Sequence, residues 1–137
     1  MCYIRAVQRR ILVVEDDPEQ RELLRFNLSN AGFAIGTAAD GIEALKKARS
    51  LPPDLILLDL MLPELDGLAV CEVLHRDSQT SNVPVIILTA VSGQLARLSG
   101  LEAGAFDFIS KPFSPRFLLE RIRAALGEPG RPETAAS

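Results

Sequence analysis

The chain is poor in the residue types on which many metal and nucleophilic sites are built. Its 137 residues hold one histidine, His75, and two cysteines, Cys2 and Cys71. A lone imidazole removes most histidine-based chemistry, multi-histidine metal sites and His-Asp triads included. The cysteines lie far apart, one at the terminus and one inside an apolar-periodic stretch. No disulfide framework is expected from them, and a reducing, cytoplasmic compartment is. Long apolar runs are missing as well. The longest, Leu55 to Leu62, is interrupted by Asp59 and falls far short of the roughly 20 residues that span a bilayer. The N-terminal MCYIRAVQRR has no apolar segment of signal-peptide length. Basic charge is not in excess either: 15 Lys and Arg against 18 Asp and Glu leave a net charge of −3, with a pI near 5.2. Direct nucleic-acid contact by this chain is therefore not expected, because neutralising phosphates needs a basic surface. What remains is carboxylate chemistry.

What is present is enough for one core. A hydrophobic content of 47% with 24% charged residues in 14.9 kDa fits a single globular domain and excludes wholesale disorder or a fibrous repeat. Short aliphatic runs alternate with amphipathic segments of helical length, the pattern of repeated βα units on a parallel sheet. The expected strands are Ile11 to Val14, Ala34 to Thr37, Leu55 to Leu58, Val85 to Leu88 and Phe106 to Ile109. The first, third and fourth are nearly continuously apolar, as strands covered on both faces must be, and should be central. Helices are expected over Pro18 to Asn30, Gly41 to Ser50, Gly67 to His75, Gln94 to Ala103 and Pro115 to Leu126. Asp17-Pro18, Asp40-Gly41 and Ser114-Pro115 read as helix starts, Gly32 as a left-handed helix end, and Pro52-Pro53 as a turn. The domain should occupy residues 10–126. Residues 1–9 form an extension, and residues 127–137, GEPGRPETAAS, read as a linker or disordered tail.

In an open parallel sheet, ligands bind beyond the carboxyl ends of the strands. Strand one runs into Glu15, Asp16 and Asp17, strand three into Asp59, strand four into Thr89, and strand five is followed by Lys111. Gathering unpaired carboxylates is costly unless a cation binds among them. Oxygen-only ligation suits a hard ion, Mg²⁺ before Zn²⁺, and Mg²⁺ characteristically shares its shell with phosphate oxygens. Lys111 and the Thr89 hydroxyl would hold the remaining phosphate oxygens, and Asp59 is the carboxylate placed to attack phosphorus. An aspartate inside LILLDLML would otherwise be a poorly solvated charge without a partner. Asp17 ranks below Asp16 as a metal ligand, because it reads first as a helix cap.

The strings ILVVEDDP, PDLILLDLMLPELDG, PVIILTA and GLEAGAFDFISKPF, in this order and spacing, resemble the response-regulator receiver domain of two-component signalling, most closely receivers of the OmpR/PhoB class. The resemblance covers about Arg10 to Leu126. It implies a doubly wound flavodoxin-like α/β fold, five parallel strands in the order 2-1-3-4-5 with five helices. It implies further that Asp59 is the phosphoacceptor, served by a sensor histidine kinase, and that the domain is no enzyme beyond its own phosphorylation and dephosphorylation. By the same resemblance Asp16 would bind Mg²⁺ directly, Glu15 through water, and the Met61 backbone carbonyl would complete the protein ligands. Thr89 and Phe108 would form a switch pair, and Lys111-Pro112 would be cis. In this class a face of helix four, strand five and helix five makes a homodimer through charge pairs. Asp107 and Arg121 fit that pattern, and Arg97 fits half of another pair. Phe106 and Phe117 stand where acidic residues are usual, so a dimer on this face would be more apolar than usual or would be replaced by another partner surface. Met61 and Val91 flank the expected phosphoryl group with side chains that cannot orient water, which implies slow self-dephosphorylation. Any DNA role would come through an effector domain outside this chain, with regulation of transcription as the expected output.

Four other readings compete. A receiver fold retained only as a phosphorylation-independent docking module would not need Asp59, Lys111 and the acidic pair. His75-Arg76-Asp77 with Asn82 matches a kinase catalytic-loop string, but the chain has no DFG and no glycine-rich loop. A haloacid-dehalogenase phosphatase would carry an aspartate where Met61 stands. An FMN-binding flavodoxin would need hydroxyl- and amide-rich loops in place of the acidic EDDP.

Overall fold

In the computed structural model, which describes residues 8–63, 65–90 and 93–128, five parallel strands alternate with five helices. They are β1 (Arg10–Val14), α1 (Pro18–Asn30), β2 (Ala34–Ala38), α2 (Gly41–Ser50), β3 (Leu55–Leu58), α3 (Gly67–Arg76), β4 (Val85–Thr89), α4 (Gln94–Glu102), β5 (Asp107–Ser110) and α5 (Pro115–Ala125). The sheet order is β2-β1-β3-β4-β5. The three apolar strands, β1, β3 and β4, are the central ones, as expected.

Alternation along the strands divides the core between the two faces of the sheet. Leu12, Val14, Ile56, Leu58 and Ile87 pack with Ala44, Ala48, Val70 and Leu74 of α2 and α3, and with Phe108. Ile11, Val13, Leu55, Leu57, Ile86 and Leu88 pack with Leu24, Leu28, Leu118 and Ile122 of α1 and α5. The central strands are covered on both faces, which explains their near-continuous apolar runs.

Helix starts are set by side chains that accept from otherwise unpaired N–H groups. Asp17 Oδ1 accepts from Glu19 N at 2.9 Å, Asp40 Oδ1 from Glu43 N at 2.8 Å, and Ser114 Oγ from Phe117 N at 3.0 Å. Asp66 does the same for α3, accepting from Ala69 N at 3.0 Å. Gly32 ends α1 with φ of 101°, the left-handed conformation a side chain would resist. α4 has Gly93 as its N-cap, so no side chain caps it, and it buries only Gly100.

The boundaries differ from the expectation by single residues. β5 begins at Asp107, not Phe106, although the Phe106 N–H still donates to Val85 O at 2.7 Å. Its ring sits half-exposed at the sheet edge. α4 and α5 stop one residue earlier, because Ala103 and Leu126 cap them. α3 runs one residue further, to Arg76. The expected extension falls outside the described residues over 1–7, and the expected tail over 129–137.

Candidate functional site

Register delivers the acidic residues to one rim. Val14 pairs with Leu58 at the last step of β1 and β3, so Glu15 and Asp59 leave adjacent strands side by side. The Asp59 N–H donates to Val14 O at 3.1 Å. Both carboxylates are buried. Thr89 ends β4 opposite Ser110 of β5, is buried, and accepts the Lys111 N–H on its carbonyl at 2.8 Å. The Lys111-Pro112 peptide is cis, as the resemblance implied.

The lysine is the centre of the cluster. Lys111 Nζ donates to Glu15 Oε1 at 2.9 Å, to Asp59 Oδ2 at 2.9 Å and to Gln20 Oε1 at 2.5 Å. Asp59 Oδ1 accepts the Met61 N–H at 2.9 Å, and Glu15 Oε2 accepts the Asp17 N–H at 3.3 Å. The ammonium thus lies where two buried carboxylates would otherwise repel one another. Burial pushes the Glu15 carboxyl above its usual range, against the pull of its hydrogen bond to Lys111. Burial would also depress Lys111, but the hydrogen bonds and charges of Asp59 and Glu15 outweigh it and hold the ammonium above its ordinary value.

The other expected residues divide. Asp16 is exposed beside the cluster, and Arg21 fastens its backbone by donating to the carbonyls of Glu15 at 2.8 Å and Asp16 at 3.3 Å. Asp17 is the α1 cap. The Met61 side chain is exposed, while Val91 lies outside the described residues. Phe108 is buried against Gly100, where an added Cβ would come within 3.0 Å of its ring.

On the α4-β5-α5 face, Asp107 and Arg121 form an ion pair with each other inside the chain. Arg97 donates to the Phe108 carbonyl oxygen at 3.0 Å, so its guanidinium is held by backbone. The exposed apolar side chains here include Leu95, Leu98, Phe106 and Phe117.

Two participants escaped the sequence reading. Gln20 carries no signal, since a glutamine in an exposed first turn is unremarkable. Gly67 reads as a helix start, yet its N–H donates to Leu60 O at 3.1 Å, and the glycine lies directly against the Asp59-Leu60 backbone.

The residues fit a hard divalent ion by donor chemistry. Among the described residues no group of three or more Asp, Glu, His or Cys side chains is gathered as a metal cage. Mg²⁺ asks for less than a cage, one or two carboxylates and water. Glu15 and Asp59 already converge on one cation, the Lys111 ammonium. No helix among the described residues is long and apolar enough to cross a membrane.

Comparison with known proteins agrees with this geometry. The sequence matches the response regulator receiver domain family over residues 11–123. It is 43% identical over 127 residues to the DNA-binding dual master transcriptional regulator RpaA of Synechocystis, covering 93% of this chain and 53% of that protein. It is 47% identical over 120 residues to the DNA-binding response regulator MtrA of Mycolicibacterium smegmatis, covering 88% and 51%. The chain thus spans about half the length of the curated relatives it matches. The receiver domain of a Pseudomonas aeruginosa sensor histidine kinase, solved with magnesium in its active-site cleft, superposes with a TM-score of 0.82 at 33% identity, over 89% of this chain and all of that one. Taken with the strand order and the acid–lysine rim, these matches show that the chain belongs to the response regulator receiver domains, with relatives of the OmpR/PhoB type.

Proposed function

We propose that the chain is a phosphorylation-operated switch that accepts a phosphoryl group on Asp59 from a sensor histidine kinase in a Mg²⁺-dependent reaction. The observation that carries this reading is the buried Asp59 carboxylate, held 2.9 Å from the Lys111 ammonium beside Glu15. Asp16 and Asp59, with the Met61 carbonyl, would hold Mg²⁺ directly and Glu15 through water, and the ion would neutralise charge on the phosphoryl oxygens. An oxygen of Asp59 forms the bond to phosphorus as the phosphorus–nitrogen bond of the kinase phosphohistidine breaks. The imidazole leaves with the bonding pair, and solvent supplies its proton. Lys111 exchanges a carboxylate for a phosphoryl oxygen, and the Thr89 hydroxyl takes another.

Movement of Thr89 toward the phosphoryl group vacates space beside Phe108, and the α4-β5-α5 face changes shape. This biases a two-state equilibrium already present. Since Asp107 and Arg121 satisfy each other within the chain, the second copy in a homodimer would meet Leu95, Leu98, Phe106 and Phe117. Regulation of transcription would follow through an effector domain, as the DNA-binding relatives suggest.

The test is mass spectrometry after incubation with acetyl phosphate and Mg²⁺. A phosphate-sized increment is expected, lost in Asp59→Ala. Its absence from the unmodified chain would favour a docking module that works without phosphate.

A further inference from the structure

Gln20 stands in the first turn of α1 and joins two things the fold keeps separate, a helix cap and the site lysine. Its Oε1 accepts from Lys111 Nζ at 2.5 Å, and its Nε2 donates to Asp17 Oδ2 at 3.3 Å. Asp17 is itself fixed, since its Oδ1 accepts the Glu19 N–H at 2.9 Å. An ammonium has three N–H donors. Glu15, Asp59 and Gln20 take all of them.

The three acceptors would have different fates in the reaction. Asp59 would become an acyl phosphate and give up carboxylate charge, and Glu15 would hold Mg²⁺ through water. Only the Gln20 amide is left unchanged by the chemistry. Being neutral, it holds a cation without adding to the repulsion that an incoming phosphate meets from the carboxylates. Without it, an ammonium on a flexible four-carbon stem would have only the two changing acceptors to set its direction.

We propose that Gln20 is a positioning residue for Lys111, an amide arm braced on the α1 cap that keeps the ammonium on the rim while Asp59 is phosphorylated. The inference rests on Asp59 being the phosphoacceptor.

Wild type, Gln20→Leu and the shorter-armed Gln20→Asn are compared by two measurements. The first needs neither ion nor phosphate: solvent exchange of the Lys111 ammonium protons, followed by ¹H–¹⁵N spectroscopy at low temperature. Exchange is expected to quicken by about threefold or more in both variants, as one of three hydrogen bonds is lost. The second is the rate of phosphate gain from acetyl phosphate and Mg²⁺. It is expected to fall by about three- to tenfold with an unchanged melting temperature. In a Lys111→Met background, Gln20→Leu should have no further effect on that rate. Equal ammonium exchange in wild type and variants overturns the proposal, and so does an equal fall in the Lys111→Met background. Failure of the wild type to gain phosphate refutes the phosphoacceptor reading instead, and the exchange measurement still decides the Gln20 contact.

Discussion

A Cβ added to Gly67 would lie 2.5 Å from the carbonyl oxygen of Asp59. It would also lie 2.6 Å from the Leu60 Cα. Both obstacles are backbone, so neither can swing aside as a side-chain tip would. The start of α3 is therefore pressed against the peptide that carries the site carboxylate. Gly67→Ala is expected to lower stability by about 2–3 kcal/mol, in the range of overpacked sites, and to slow phosphate gain by displacing Asp59. Gly32→Ala is the control, with nothing within 4 Å of its Cβ and only its φ of 101° to resist the change. It should cost about 1 kcal/mol and leave the phosphorylation rate alone. Urea unfolding and acetyl phosphate kinetics check both, and equal losses for the two variants would contradict the account.

The ammonium between Glu15 and Asp59 leads to a second expectation. Their side chains are 5% and 8% exposed, against 17% for Lys111, so removing the lysine leaves two buried anions facing each other. Lys111→Met should lose about 3–5 kcal/mol at pH 7, the range for breaking a buried pair by removing one partner. Millimolar Mg²⁺ should raise its urea midpoint more than it raises the wild-type midpoint, because the ion then offsets an uncompensated repulsion. A variant as stable as wild type in the absence of Mg²⁺ would show that the ammonium carries no such load.

Periodicity made the fold legible. β1, β3 and β4 read as central because their runs are nearly continuously apolar, and α1 reads from Asp17-Pro18 at its start to Gly32 past its end. The rim was legible because Glu15, Asp59, Thr89 and Lys111 each stand at or just beyond a strand end. What escaped is contact between residues remote in sequence whose types carry no message alone. Gln20 meets Lys111 across 91 positions, and nothing in a lone glutamine announces it. Arg97 reads as half of a charge pair, yet within the chain its guanidinium is held by the Phe108 carbonyl, and backbone acceptors leave no trace in a sequence. Asp107 and Arg121 read as charges offered to a second copy, yet the turn from β5 into α5 lets them meet within one chain.

That internal pair shapes the expectation for assembly. With those charges satisfied, self-association on the α4-β5-α5 face would rest on apolar contact. Sedimentation velocity with beryllofluoride and Mg²⁺ should show a dimer fraction that grows with concentration and resists high salt, which screens exposed ion pairs but not apolar burial. Phe117→Glu, which puts charge on a half-exposed ring position, should return the protein to monomer. If no dimer forms with or without beryllofluoride and Phe117→Glu is also without effect, the apolar-dimer reading fails.

Acid sensitivity should include a contribution from Asp77, the C-cap of α3. Its Oδ1 accepts the Gln79 N–H at 2.9 Å and its Oδ2 accepts from Arg49 Nε at 2.7 Å, tying the end of α3 to α2. The Gln79 N–H, and after it the Arg49 guanidinium, hold this carboxyl below its usual range. A carboxyl lowered in the folded state stabilises the fold above its unfolded value and loses that contribution as pH falls through the folded one. The urea midpoint should therefore drop as pH is lowered from about 5 to 3. Asp77→Asn, which keeps an acceptor for Gln79 but does not titrate, should show a shallower drop from a lower midpoint at pH 7. Some slope should persist in the variant, because the Ala39 N–H lowers the Glu43 carboxyl in the same sense. Identical midpoint profiles for wild type and Asp77→Asn would remove Asp77 from the account of acid unfolding.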